Sequence, residues 1–477
     1  MLIWIILVPL LAALAGLAVP SNRWRPWVLL PAAAAHLAIS LLCITKASSP
    51  TAYGWLFLDP PGRLVLLLIS VLFLICSVYT IGYLQYRPDR SNRVFGMCLL
   101  IFLGVASLVT CAHHLGLMWV AVEATTLSTA PLIYFNRTAR SIEATWKYLL
   151  VGSVGLAIAL LGSFFLAYAS LGNGGEPSLL FEDLLRRAPL LNKPWLEAAF
   201  VLLLVGYGTK MGLAPMHTWK PDAYGEAPGV VGALLAGGVT SCAFLALLRI
   251  HHICEAAGES PYVGRLMVCM GLFSMAVAAV FMVGQRDIKR MLAYSSVEHM
   301  GILIIGAGIG GPALFGALLH MMNNGITKGL LFLSAGNIHR SYDSKSTDEV
   351  RGAMRRLPLS GTLFLLGFFA ITGSPPFGPF VSEFTILSGA FAGGRFLVGA
   401  GFLLLLLVVF IGMGRTVLTV VQGRPLARGK ATEYRDGLLT GLPIVVSLGI
   451  VLLLGVHIPA FLGGLLNNAA SSLEMKP

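Results

Sequence analysis

The stretch LEAAFVLLLVGYGTKMGLAPMHTWKPD, residues 196–222, decides how this chain is read. Its first part is apolar enough to be entering a lipid bilayer, yet Lys210 stands deep inside it, five residues before Pro215. A lysine at bilayer depth costs roughly 2.5–3.5 kcal/mol even on the lenient insertion scale. Something in structure or function must offset that cost. Gly212 and Pro215 also break the helix beside the charge, freeing backbone groups and dipole ends there.

The surrounding composition supports the membrane reading. The chain has 477 residues, is 57% hydrophobic and 11% charged, and has a mean hydropathy of +0.82. No soluble domain needs so much apolar surface. Apolar runs of about 20 residues recur from end to end, each fitting one helical crossing. Strands with open edges could not satisfy their backbone in lipid, so the runs are expected to be helices. The 54 glycines and 25 prolines suit close helix packing and broken helices. The first run, IWIILVPLLAALAGLAV, has no basic leader and reads as a retained span.

Fourteen spans are expected, near 2–19, 26–44, 64–85, 95–113, 115–135, 145–171 and 195–214, then 228–250, 263–283, 292–310, 312–337, 358–391, 396–421 and 438–462. The seventh is followed by LAPMHTWKPDAYGEAPG, and the twelfth is cut by TGSPPFGPF. Breaks five spans apart run in opposite directions through the membrane, as in an inverted repeat pairing spans 4–8 with 9–13. The organisation expected is N-terminal spans 1–3 over 1–94, repeats over 95–250 and 263–421, and a last span with its tail over 438–477. The largest connections fall around 172–194 and 338–357. Alternate loops, starting after span 1, hold most of the 33 Lys and Arg residues. That asymmetry puts them in the cytoplasm and both termini outside.

Ionisable residues inside spans usually mark ion pathways. Glu123 lies near the middle of span 5, and Lys210 and His217 flank the first break. Glu298 and His299 open span 10 in SSVEHMG. His320, Asn324 and Lys328 recur at i, i+4 and i+8 in span 11, on one helical stripe. Such a stripe lines a wet path or serves helix–helix hydrogen bonding. Glu383 follows the second break. If Glu123 and Lys210 meet, each lowers the other's burial cost, as a static staple or as part of a relay. His113, His114, His251, His252, Asp287, Lys289 and Arg290 read as interfacial anchors, and Arg415 as snorkelling. The seven cysteines are scattered singly, so disulfide, metal and iron–sulfur sites are not expected. There is no P-loop, GxGxxG after a strand, HExxH or GxSxG, and no catalytic centre or cofactor site is expected in this chain.

KMGLAPMHTWKPDAYGEAPGVVGALLAGGVT, DIKRMLAYSSVEHMG, NNGITKGLLFLSAGN and GSPPFGPFVSEFTIL resemble the antiporter-like proton-translocating subunits of respiratory complex I and its relatives. Within that superfamily, WVAVEATTLSTAPLIYF, LLAGGVTSCAFLALLRI and SSVEHMG look most like hydrogenase-4 component F, a membrane subunit of group 4 nickel–iron hydrogenases and formate hydrogenlyase-type complexes. The resemblance implies an all-α polytopic fold of about 14 transmembrane helices, with two inverted five-helix repeats and broken helices 7 and 12. It matches Glu123 to the glutamate of helix 5, Lys210 to the lysine of helix 7, Lys328 to the lysine of helix 11 and Glu383 to the terminal charge of helix 12. Asn324 stands where many relatives carry histidine. Together with His217 and His320 these residues would form a proton relay, with Ser241, Asn324, Glu298 and His299 in support. One departure concerns helix 8, where many relatives carry a lysine and this chain has Ser241. A hydroxyl does not carry a proton's charge at neutral pH, so His320 or ordered water would have to bridge.

The resulting expectation is a proton- or cation-translocating subunit in a prokaryotic inner membrane. Its partners would be other subunits of a hydrogenase-type or complex I-like assembly, and those partners would hold the nickel–iron and iron–sulfur centres. The chain lacks the long lateral helix of some relatives, so partners would also hold it in place. The alternatives are a cation/proton antiporter module and a proton-inert scaffold. Retained buried charges argue against the scaffold, which would be more stable without them.

Overall fold

The structure is a computed structural model describing residues 1–46, 54–171, 177–424 and 432–474. Residues 172–176 of the long connection at 172–194, and the tail 475–477, lie outside the described residues.

Apolar runs with few internal breakers wind into helices in which each backbone group is bonded within its own segment. The first six are α1 (Leu2–Ala18), α2 (Leu29–Thr45), α3 (Pro60–Gln85), α4 (Arg93–Cys111), α5 (Leu115–Ile133) and α6 (Ala139–Ala169). A short α7 (Phe181–Arg186) precedes α8 (Lys193–Met211) and α9 (Trp219–Glu226). Next, α10 (Gly229–Leu234) passes through a π-helical stretch, Leu235–Val239, into α11 (Thr240–Ala256). The second half holds α12 (Ser260–Met282), α13 (Ile288–Ile309), α14 (Pro312–Tyr342), a short α15 (Ala353–Arg356), α16 (Pro358–Ile371) and α17 (Gly378–Ala392). It closes with α18 (Phe396–Val421), α19 (Leu438–Val456) and α20 (Ala460–Leu473).

The described residues contain no strand beyond isolated bridges. Among the described residues, ten helical segments are long and apolar enough to cross a membrane, and α1 and α16 are shorter apolar helices. α8 and α14, of 19 and 31 residues, are as long but carry buried polar side chains. This is the expected all-α polytopic membrane architecture. The segment from α10 to α11 is wholly enclosed, whereas most of α18 faces outward. Leu397, Leu404 and Ile411 on α18, with Val280 on α12, are exposed apolar residues of the kind a bilayer covers.

Both breaks are built alike. α8 ends at Gly212 with φ +79°, and α16 is followed by Gly373 with φ +67°. A residue bearing Cβ pays roughly 1–2 kcal/mol in that left-handed region, so glycine fits. Space requires it as well: a Cβ at Gly212 would collide with the Lys220 side chain, and one at Gly373 with the Glu383 carboxylate. Three residues later each break has a proline in a cis peptide, Ala214–Pro215 and Pro375–Pro376.

The connections sort onto two faces. On one, Arg87 donates to Asn136, Asn136 to the Glu226 carbonyl, and Lys345 pairs with Glu226 at 2.7 Å and Asp287 at 3.3 Å. Arg340 lies over the rings of Tyr83, Tyr86 and Tyr434. On the other face, Asp59 caps α3 by accepting from the Gly62 amide at 3.0 Å. It also takes two hydrogen bonds from Arg249 at the end of α11, at 2.7 and 2.9 Å. Burial raises the Asp59 carboxyl, but the Arg249 guanidinium and His113 outweigh it and hold the group well below the usual carboxylate range. Lys289, expected as an interfacial anchor, is instead a buried structural tie, as is Arg249. Lys289 donates to the Ala227 carbonyl at 3.1 Å, and Arg249 donates further to the carbonyls of Val109, Thr110 and Ala112.

Candidate functional site

Lys210 is the penultimate residue of α8 and is almost completely buried. Its ammonium group donates to the Thr126 hydroxyl, and to Tyr148 Oη of α6 at 3.1 Å. It also lies 4.5 Å from the centroid of the Tyr148 ring. Thr126 in turn donates to Glu123 Oε2 at 3.1 Å, one turn earlier on α5, and Ser153 of α6 donates to Glu123 Oε1 at 2.9 Å. Glu123 and Lys210 are therefore joined through a hydroxyl rather than as a direct ion pair. A hydroxyl both donates and accepts, so Thr126 is a group through which a proton can pass between amine and carboxylate. Tyr148 is held by Thr129 at 2.7 Å.

The second cluster is built by α13, α14 and α17. Lys328 of α14 donates to Ser295 Oγ at 2.7 Å and to the Leu292 carbonyl at 3.3 Å. One turn on from Ser295 along α13, His299 Nδ1 and His320 Nε2 are 2.9 Å apart, with rings stacked at 5.1 Å. His320 Nδ1 lies 2.9 Å from Ser382 Oγ, which adjoins Glu383 in the chain. Glu298 Oε2 is 4.0 Å from His299 Nε2. Five buried polar atoms here have no hydrogen-bond partner: Glu298 Oε2, His299 Nε2, Asn323 Oδ1, Asn324 Oδ1 and Glu383 Oε1. The i, i+4, i+8 stripe of α14 thus lines a polar interior.

The sequence pointed to no metal, yet one donor atom each from His299, His320 and Glu383 falls within 4.8 Å of the others. Those residues could hold a cation. The two imidazoles are hydrogen-bonded to each other, and His299 Nε2 has no partner.

Two expected residues stand apart. His217 packs among Phe281 and Tyr294, and its Nδ1 has no partner. Ser241 donates to the Gly237 carbonyl at 2.7 Å, four residues back on its own helix. The bridging position suggested for His320 is not where it lies: it bonds to His299 and Ser382 inside the second cluster.

Sequence reasoning missed Thr126, Tyr148, Ser295, Ser382 and Lys220. Thr126 had a readable signal, since a hydroxyl at i+3 from a glutamate within a span shares its helix face. Lys220 is fully buried on α9, within the polar string that follows the seventh expected span. Its ammonium group donates to the Met211 carbonyl at 2.6 Å and the Ser296 carbonyl at 3.4 Å. Among the described residues, the hydrogen bonds of Lys210, Lys220 and Lys328 go to hydroxyls and carbonyls and none to a carboxylate.

Residues 112–412 match the family described as NADH:quinone oxidoreductase/Mrp antiporter, TM. The chain is 34% identical over 432 residues to a protein named hydrogenase-4 component F homolog from Methylacidiphilum infernorum (isolate V4), covering 85% of this chain and 89% of that one. It is 31% identical over 411 residues to NADH-quinone oxidoreductase subunit N of Desulforudis audaxviator (strain MP104C), covering 82% and 80%. A chain of respiratory complex I from Thermus thermophilus superposes with a TM-score of 0.80 at 27% identity, covering 98% of this chain and all of that one.

Proposed function

The chain belongs to the NADH:quinone oxidoreductase/Mrp antiporter transmembrane family, and on that premise we propose that it translocates protons as a membrane subunit of a hydrogenase-type or NADH dehydrogenase-like complex. Electron transfer takes place in partner subunits, which carry the nickel–iron and iron–sulfur centres. The observation that carries the reading is the buried Lys210 tied through Thr126 to Glu123. A pure scaffold gains nothing from such groups, because apolar replacements of similar size are often neutral or stabilising.

A change in the partners alters the Glu123–Thr126–Lys210 arrangement, and a proton moves from the Lys210 ammonium into the second cluster. There Lys328, Glu298, His299, His320 and Glu383 carry it on, with Ser295 and Ser382 as hydroxyl contacts. Lysine suits this role because its ammonium can lose a proton when desolvated, which arginine resists. His217, in its aromatic setting, guards the first break rather than passing protons. Ser241 takes no part, and Asn324 supports Lys328 by lining the same stripe.

The chain makes fourteen crossings, counting α8–α9 and α16–α17 as one broken crossing each. The matching breaks support two inverted repeats, 95–250 and 263–421, flanked by the N-terminal helices of 1–94 and, from 438, by the last crossing α19 and its following helix α20. The membrane is a prokaryotic inner membrane, with the Arg- and Lys-rich face in the cytoplasm and both ends outside. Replacing Lys210→Ala and, separately, Glu383→Gln in the assembled complex tests the proposal. Proton uptake into inverted vesicles, driven through the redox partners, should fall at least tenfold in both. Normal uptake by both variants at normal assembly overturns it.

A further inference from the structure

The relay proposed above has a gap. Among the described residues no hydrogen bond joins the Glu123–Lys210 cluster to the Lys328–Glu383 cluster, and neither Ser241 nor His320 fills the space. Lys220 lies between them, a buried lysine with no carboxylate partner. Met211, whose carbonyl accepts from Lys220, follows Lys210 in the chain. Ser296, whose carbonyl is the other acceptor, follows Ser295, which binds Lys328. Lys220 is thus one residue removed from each cluster's lysine site. Two of its neighbours, the Tyr224 and Ser296 hydroxyls, are buried beside one another and bond to no third group. The Lys220 ammonium also lies 5.7 Å from the Tyr224 ring centroid. The similarity of the two breaks gives an independent indication. At each, the left-handed glycine abuts an ionisable side chain of the following helix: Gly212 against Lys220, Gly373 against Glu383.

We infer that Lys220 is the proton carrier joining the two buried clusters, an assignment that rests on the relay reading. With Lys220 as the free amine, the Lys210 ammonium gives up a proton: an N–H bond breaks at Lys210 and one forms at Lys220. In the next step the Lys220 ammonium yields that proton through the Tyr224 and Ser296 hydroxyls to the free amine of Lys328. One positive charge moves at each step and none is created. Like charges close together in a poorly solvated interior repel strongly, so a proton arriving at Lys220 first drives one off the Lys328 ammonium toward Glu383, leaving the free amine that then accepts from Lys220. Such coupling makes movement in the first half drive movement in the second.

Three variants test this in the assembled complex, with redox-driven proton uptake into inverted vesicles as the readout and Lys210→Ala alongside. Lys220→Gln keeps an N–H donor for Met211, and Lys220→Arg keeps both donor and charge but cannot release its proton. Both are expected to assemble and to lose at least tenfold in uptake. Wild-type uptake by either overturns the inference, because a structural tie or a fixed charge then suffices. If neither assembles, the double variant Tyr224→Phe/Ser296→Ala decides, since it removes together two hydroxyls that bond to no group beyond each other. Uptake slowed threefold or more at normal assembly supports the carrier, and unchanged uptake refutes it. If Lys210→Ala pumps normally, the relay reading itself fails. If only Lys210→Ala is impaired, the relay stands and this inference falls.

Discussion

The Lys210 ammonium and the Glu123 carboxylate communicate through one hydroxyl, and that contact can be tested alone. Thr126→Val keeps the shape of the side chain and removes the oxygen between the two groups. Proton uptake should fall about tenfold, since loss of a hydrogen bond to a charged group costs about 1.5–3 kcal/mol. Thr126→Ser, which restores the oxygen, should recover most of it, and the same vesicle assay compares the two. Lys210, Lys328 and Glu383 were legible in the sequence because an ionisable group within an apolar run contradicts its surroundings. Thr126 and Tyr148 were not, because a helical hydroxyl is more often spent on its own backbone, as Thr125 and Thr129 show by bonding to the carbonyls of Val122 and Thr125. Lys220 was hidden for the opposite reason: in HTWKPDAYGE it has polar neighbours, and nothing in that string marks it as fully enclosed.

Among the helices, the two breaks were readable from glycine and proline beside a charge, and both fall where expected. The helical state of α9 was not, because its enclosure comes from contacts distant in sequence, such as the Trp219 indole donating to the Thr209 carbonyl. The π-helical stretch at Leu235–Val239 likewise left no mark in LLAGGV. The pairing of α3 with α11 makes a separate prediction. Asp59 titrates lower in the folded protein than in the unfolded chain, so its stabilisation is complete above the unfolded value, about pH 4, and is lost as pH falls through the folded one. The unfolding midpoint of detergent-solubilised protein should therefore drop as pH is lowered below about 4. Asp59→Asn should lower the midpoint already at pH 7, since stripping one partner from a buried pair costs about 3–5 kcal/mol. Its remaining acid dependence should be shallower than the wild type's.

At the scale of the whole molecule, the alternation of basic loops was legible because orientation is recorded in Lys and Arg. The packing of those loops on one another was not, since Lys345 meets Glu226 and Asp287 only through the tertiary fold. With the basic face in the cytoplasm, a cysteine introduced at Pro88 should react with a membrane-impermeant thiol reagent only in inverted vesicles. One introduced at Gly258 should react only in right-side-out preparations. The reverse pattern would invert the proposed orientation. Each broken helix buries an ionisable group, Lys210 at the first and Glu383 at the second, and protons are proposed to bind and leave there during turnover. Infrared difference spectroscopy of the working complex tests this most directly. A protonated-carboxyl band should change on turnover and disappear in Glu383→Gln. A turnover spectrum with no carboxyl band, or one left intact by Glu383→Gln, would contradict it.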